Sequence, residues 1–240
     1  MQRFVGLLLL ACACTWDGTR SDVIYSCPDQ VCPEGQACRA GVCKPIGTEG
    51  ACTGETRFAD EFDDLDATRW DVMMSTGAVA HAVDGQLAID YTANGADAEV
   101  SMIDRVAHDD ATVTVEVVSP RDLSSGFIRM RLFDDFRDTA PLVFMADSTD
   151  LSAVIDSDLD VPKILRTDNY DPQRYRFWRI SRTTDQACFY TSRDGVSFEE
   201  FACGSNAGVR SSLRAGLSAG NYAATDPQTV AFDHFTWCGP

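Results

Sequence analysis

Thr112-Val113-Thr114-Val115-Glu116-Val117 alternates polar and apolar residues with a strict period of two. A strand places successive side chains on opposite faces and has this period; a helix does not. The stretch therefore reads as a β-strand with its valines turned to a core. Outward from it the same signal recurs. Phe127 to Phe133 is a short strand with arginines at alternate positions. Leu142 to Met145, Val154 to Ile155 and Ile164 to Leu165 are short apolar runs. Tyr175 to Ser181, Cys188 to Ser192, Val196 to Ala202 and Thr229 to Trp237 follow. No convincing amphipathic helix longer than two turns interrupts them. About thirteen candidate strands at short spacing predict an all-β fold, a two-sheet antiparallel sandwich.

Turn chemistry supports this. In Ser192-Arg193-Asp194-Gly195-Val196-Ser197-Phe198, Asp-Gly suits a tight hairpin because both central residues tolerate positive φ. Cys188 and Cys203 flank that turn and are placed to crosslink the hairpin. Val83-Asp84-Gly85-Gln86-Leu87 carries a similar turn.

The chain opens on a basic Met1-Gln2-Arg3 and an apolar run from Phe4 to Ala11. That run is too short to span a bilayer and suits a signal peptide; no later stretch reaches the roughly eighteen apolar residues of a spanning helix. Leu9-Leu10-Ala11-Cys12-Ala13-Cys14 resembles the lipobox of bacterial lipoproteins. Cys12 and Cys14 are both candidates for lipidation, and ordinary secretory cleavage near Ala13 is the alternative. The expectation is an exported outer-membrane or cell-surface lipoprotein, otherwise a secreted or periplasmic protein, that meets the membrane through its anchor alone. The net charge of −17 repels nucleic acid and excludes it as a partner.

Ten cysteines in an exported chain read as a disulfide framework. Cys27, Cys32, Cys38 and Cys43 form a cluster, C-x4-C-x5-C-x4-C, with almost no apolar residue to bury, so the segment needs crosslinks. The spacing lacks the close pairs of common zinc sites. The segment resembles small EGF-like or Dickkopf-type cysteine-rich modules, which implies a spacer or interaction knob. Its expected bridges run first to third and second to fourth. The expected organisation is a signal peptide with lipobox over 1–14, a linker over 15–26, the module over 27–43, a second linker over 44–56 and the sandwich over 57–240.

Six pieces in order carry a wider resemblance: Phe58-Ala59-Asp60-Glu61-Phe62, Arg69-Trp70, Asp84-Gly85-Gln86-Leu87, Tyr175 to Ile180, Ser192 to Phe198, and Val230 to Phe235. The series is similar to the concanavalin A-like lectin/glucanase superfamily, the laminin-G-like jelly roll. The resemblance implies two curved antiparallel sheets with the first and last strands side by side. It also implies that Cys52, just outside the first strand, pairs with Cys238, just outside the last.

Laminarinase-like hydrolases of that superfamily carry a Glu-x-Asp-x-(x)-Glu strand whose glutamates act as nucleophile and acid. This chain has eight glutamates and no such strand; Glu61-Phe62-Asp63-Asp64 is the nearest run. No catalytic residues are therefore assigned. His81, His108 and His234 lack ligand spacing. Asp156-x-Asp158-x-Asp160 is similar to the start of a calcium loop, but Val161 and Thr167 replace the glycine and glutamate of an EF-hand. A different oxygen-ligand calcium site at Asp156, Asp158 and Asp160, or in the run Asp60-Glu61-Asp63-Asp64-Asp66, is the one cofactor candidate. Trp178 and Tyr190, with Trp70 and Trp237 behind them, are the rings that could stack on sugars, against the plainer role of core packing. The expectation is a non-catalytic, surface-anchored sandwich that binds an extracellular glycan or protein. An atypical glycan-cleaving enzyme on the same fold, or a structural envelope protein, are the alternatives.

Overall fold

The structure, a computed structural model, describes residues 36–39, 42–45, 55–92, 95–107, 110–118, 123, 126–134, 142–155, 163–206, 209, 212–222 and 227–239. The chain divides into two compact units, Met1–Gly47 and Thr48–Pro240. In the first, β1 (Gln36–Arg39) and β2 (Val42–Pro45) form an antiparallel hairpin with Cys38 opposite Cys43. Cys12, Cys14, Cys27 and Cys32 lie outside the described residues, as do the bridges expected of the module.

Every described secondary-structure element of the second unit is a strand. The unit runs β3 (Glu55–Asp60), β4 (Trp70–Met74), β5 (Ala78–Val83), β6 (Gln86–Tyr91), β7 (Asp97–Met102) and β8 (Val106–Ala107). Next come β9 (Ala111–Val118), β10 (Gly126–Phe133), β11 (Leu142–Asp147), β12 (Asp150–Ile155) and β13 (Lys163–Asn169). β14 (Phe177–Arg182), β15 (Gln186–Ser192), β16 (Glu199–Ser205), β17 (Ser212–Asn221) and β18 (Gln228–Gly239) complete it. One sheet has the order β13-β12-β11-β10-β17-β7-β4, with β8 on β17. The other has the order β16-β15-β14-β9-β18-β6-β5, with β3 on β18. Every pairing is antiparallel, and the first and last strands lie side by side, Phe235 opposite Asp60. The fold is the expected jelly-roll sandwich.

Alternation sets which residues fill the space between the sheets. On β11, Leu142, Phe144 and Ala146 are buried while Val143, Met145 and Asp147 are half-buried on the other face. Phe144 meets Trp178, Phe189 and Phe201 of the opposite sheet at ring separations of 5.1, 5.5 and 5.3 Å. A second ring cluster joins Trp70 to Phe58, Phe62 and Phe235 at 5.4, 5.6 and 5.2 Å. Asp60 anchors it. Its Oδ2 accepts from Trp70 Nε1 at 2.8 Å and pairs with Arg69 at 3.0 Å, and its Oδ1 accepts from the Phe62 amide at 2.8 Å.

The two Asp-Gly turns differ. At Asp84-Gly85 both residues have positive φ, 52° and 72°, as a tight hairpin requires. At 194–195 only Gly195 does, and β16 starts at Glu199, so the connection is longer than expected. Asp194 Oδ1 holds this loop by accepting from the amides of Val196 and Ser197 and from the Ser192 hydroxyl. Cys188 and Cys203 face each other across the hairpin and form a disulfide with Cα atoms 4.1 Å apart. Cys238 is also disulfide-bonded, and its expected partner Cys52 lies outside the described residues.

Candidate functional site

Each sheet has one face turned from the core, and polar groups collect on both. The first is built on β7, β17 and β10. Ala98, Val100 and Met102 of β7 enter the core, so Glu99 and Ser101 point the other way. Register then fixes a row: Arg129 opposite Ser218, and Ser218 opposite Glu99. The next row is Arg131, Gly216, Ser101 and Asp71. Glu99 is only 9% exposed and pairs with Arg131. Its Oε1 and the Ser218 hydroxyl are buried without a hydrogen-bond partner among the described residues. Gly216 keeps the space beside that oxygen open, since a Cβ there would sit 3.4 Å from Glu99 Oε1 and 2.8 Å from Phe133 Cε1. An unsatisfied buried carboxylate oxygen costs free energy, so its retention calls for an explanation.

The second cluster is on the other sheet. Between Asp233 and Thr236 the pairing of β18 with β9 slips by one residue, a bulge with His234 at φ 50°. The bulge aims the imidazole at carboxylates. Nδ1 lies 2.5 Å from Glu61 Oε2 and 3.3 Å from Asp233 Oδ1, and Nε2 lies 3.5 Å from Glu116 Oε2. Glu116 is fully buried and accepts from Arg176 Nε at 2.6 Å. Burial pushes the Asp233 carboxyl above the usual carboxylate range; His234 pulls it back, and the charges of Glu116 and Glu61 add to the rise. Glu61, Asp233 and His234 bring one ligand atom each within 4.8 Å of one another and could hold a cation.

Trp178 is fully buried, its Nε1 donating to Tyr175 O at 2.8 Å, and it has no ring face to offer a ligand. Trp70 and Trp237 are core residues too. Tyr190 is half-buried on the face turned from the core, opposite Arg179. Asp156, Asp158 and Asp160 lie outside the described residues. Glu99, Ser218 and Arg131 escape a sequence reading because they come from three strands. The alternate arginines of β10 are the one local trace of the site.

No family model and no curated protein matches this sequence. Solved structures do match the fold. A beta-glucanase of Bacillus licheniformis superposes with a TM-score of 0.59 at 11% identity, over 78% of this chain and 100% of that one. A prokaryotic beta-1,3-1,4-glucanase (lichenase) derived from a mouse hindgut metagenome gives 0.57 at 14% identity, over 77% and 99%. An immunostimulatory antigen and pseudo beta-1,3-glucanase of Mycobacterium tuberculosis gives 0.55 at 15% identity, over 78% and 100%. These likenesses correct the expectation of a non-catalytic binding module. Structures that match this chain over 99–100% of their own length include two described as glucanases. The missing Glu-x-Asp-x-(x)-Glu strand excludes one arrangement of carboxyls and not the reaction. What the likenesses establish is the fold: a concanavalin A-like jelly-roll β-sandwich.

Proposed function

We propose that this chain is an atypical glycan-cleaving enzyme whose chemistry lies on the Glu99 face, in an exported protein anchored through Cys12 or Cys14. The observation that carries the reading is Glu99, buried, paired with Arg131 and left with a carboxylate oxygen beside Gly216 that has no partner among the described residues. Hydrolysis of a glycosidic bond needs two carboxyls. One protonates the leaving oxygen; the other attacks the anomeric carbon or takes a proton from the attacking water, and water is added across the broken bond. Asp71 supplies the second. It faces Ser101 on the neighbouring strand and is thus the diagonal neighbour of Glu99. Diagonal cross-strand positions lie roughly 7–8 Å apart, within reach of long side chains. The glucanases with this fold support the same class of reaction.

The test is incubation of the mature protein with β-glucans, galactans and uronic or sulfated polysaccharides, read for new reducing ends. Turnover abolished in Glu99→Gln and reduced at least about a hundredfold in Asp71→Asn is the expected result. A protein inert on all of them, or one whose turnover survives Glu99→Gln, sinks the proposal.

A further inference from the structure

Among the described residues, arginines of the sandwich are repeatedly neutralised by carboxylates: Arg57 by Glu55, Arg69 by Asp60, Arg131 by Glu99, Arg166 by Asp168 and Arg176 by Glu116. Arg174, Arg179 and Arg193 are in no such pair, and neither is Arg129. It stands in the same row as Glu99, one strand beyond Ser218, and no carboxylate of the described residues lies within ion-pairing distance of it.

Its position is nonetheless fixed. The guanidinium lies 4.0 Å over the ring of Phe127 and 5.9 Å from the ring centre of Tyr222. Nε donates to Met145 Sδ at 3.4 Å, and a terminal nitrogen donates to the Tyr222 hydroxyl. Rings and a thioether orient a guanidinium without cancelling its charge. Beside it the Ser218 hydroxyl has no partner among the described residues. A planar fork of N–H donors is the complement of a planar or tetrahedral oxyanion.

We infer that Arg129 determines specificity on this face and that the substrate is an anionic glycan, a polysaccharide carrying oxyanions as uronic carboxylates or sulfate esters. The inference rests on reading this face as the glycan site. Arg129 takes the oxyanion of one sugar while Glu99, on the far side of Ser218, addresses the adjoining glycosidic bond. The acidic remainder of the chain repels a polyanion at long range, so recognition is local and depends on this guanidinium.

The experiment is affinity electrophoresis of the full mature chain through gels containing polygalacturonate, a sulfated galactan or a neutral β-glucan. Wild type, Arg129→Gln and Arg129→Lys run side by side, and thermal melts check that each is folded. The expected result is retardation by the carboxylated or the sulfated polymer, whichever bears the matching oxyanion, and none of comparable strength by the neutral one. Arg129→Gln should weaken it about tenfold or more, the loss of one charge-assisted contact. Arg129→Lys, which keeps the charge without the fork, should fall between. Equal retardation by the neutral glucan, no retardation by either anionic polymer, or retention unchanged in Arg129→Gln overturns the inference. Reducing ends are measured separately. Retention without turnover leaves this inference standing and sinks the hydrolase reading. Turnover of neutral glucan that ignores Arg129 does the reverse.

Discussion

Phe144 ties the two sheets together, and its removal is the sharpest test of the packing. It lies on β11 of one sheet, fully buried, against Trp178, Phe189 and Phe201 of the other. Phe144→Ala removes a buried aromatic ring and leaves a cavity, which costs about 3–5 kcal/mol. Each lost ring pair is worth roughly 0.5–1.5 kcal/mol beyond area burial, which places the cost toward the upper end. For a domain of this size the melting temperature should fall by roughly 6–20 °C. Phe144→Leu keeps most of the volume and should cost under about 2 kcal/mol. Equilibrium unfolding in guanidinium, followed by circular dichroism, gives both values. A cost under about 1 kcal/mol for Phe144→Ala would refute a core in which this ring is shared by the two sheets.

Three further outcomes follow from the structure. Replacing Cys188 and Cys203 by alanine releases a crosslink spanning 15 residues, worth up to about 3 kcal/mol in the chain-entropy model; calorimetry under non-reducing conditions should show a melt roughly 6–12 °C lower, and an unchanged melt counts against that bridge. Gly195→Ala should destabilise by about 1 kcal/mol or more, because φ is +74° and the new Cβ would meet Phe177 Cε1 at 2.9 Å; a neutral substitution contradicts the turn geometry. Asp233 titrates above the usual range in the folded state, so the native protein binds the extra proton. Its contribution is fully present below the unfolded carboxylate pKa and is lost as pH rises through the raised one. Asp233→Asn should therefore flatten the fall in melting temperature as pH rises above the unfolded carboxylate value, and a steeper fall in the variant would show the sign to be wrong.

The sandwich was legible because the residues that define it speak locally. The alternation of β9 and β11, and the Phe58-to-Phe62 and Arg69-Trp70 pieces, each encode a face or an anchor within a few residues. Asp60 holding Trp70 and Arg69 explains why those pieces occur together. The turn at Asp84-Gly85 was legible for the same reason. At Asp194-Gly195 the side chain of Asp194 captures backbone amides and opens the loop, a choice that local propensity does not record. The candidate site was not legible. Glu99 reads as the polar face of an ordinary strand, and Arg131 lies 32 residues away in sequence. Only β17, inserted between their strands, sets Ser218 and Gly216 between them. The bulge at His234 is equally silent, since positive φ at a histidine carries no sequence signature.

The central claim is that catalysis belongs to the Glu99 face and not to the carboxylate-histidine cluster on the opposite sheet. Turnover of one polysaccharide by wild type, Glu99→Gln and Glu61→Gln, measured as new reducing ends per minute, tests it most directly. The account predicts loss of turnover in Glu99→Gln and retention in Glu61→Gln. Turnover that survives Glu99→Gln and disappears in Glu61→Gln would contradict it.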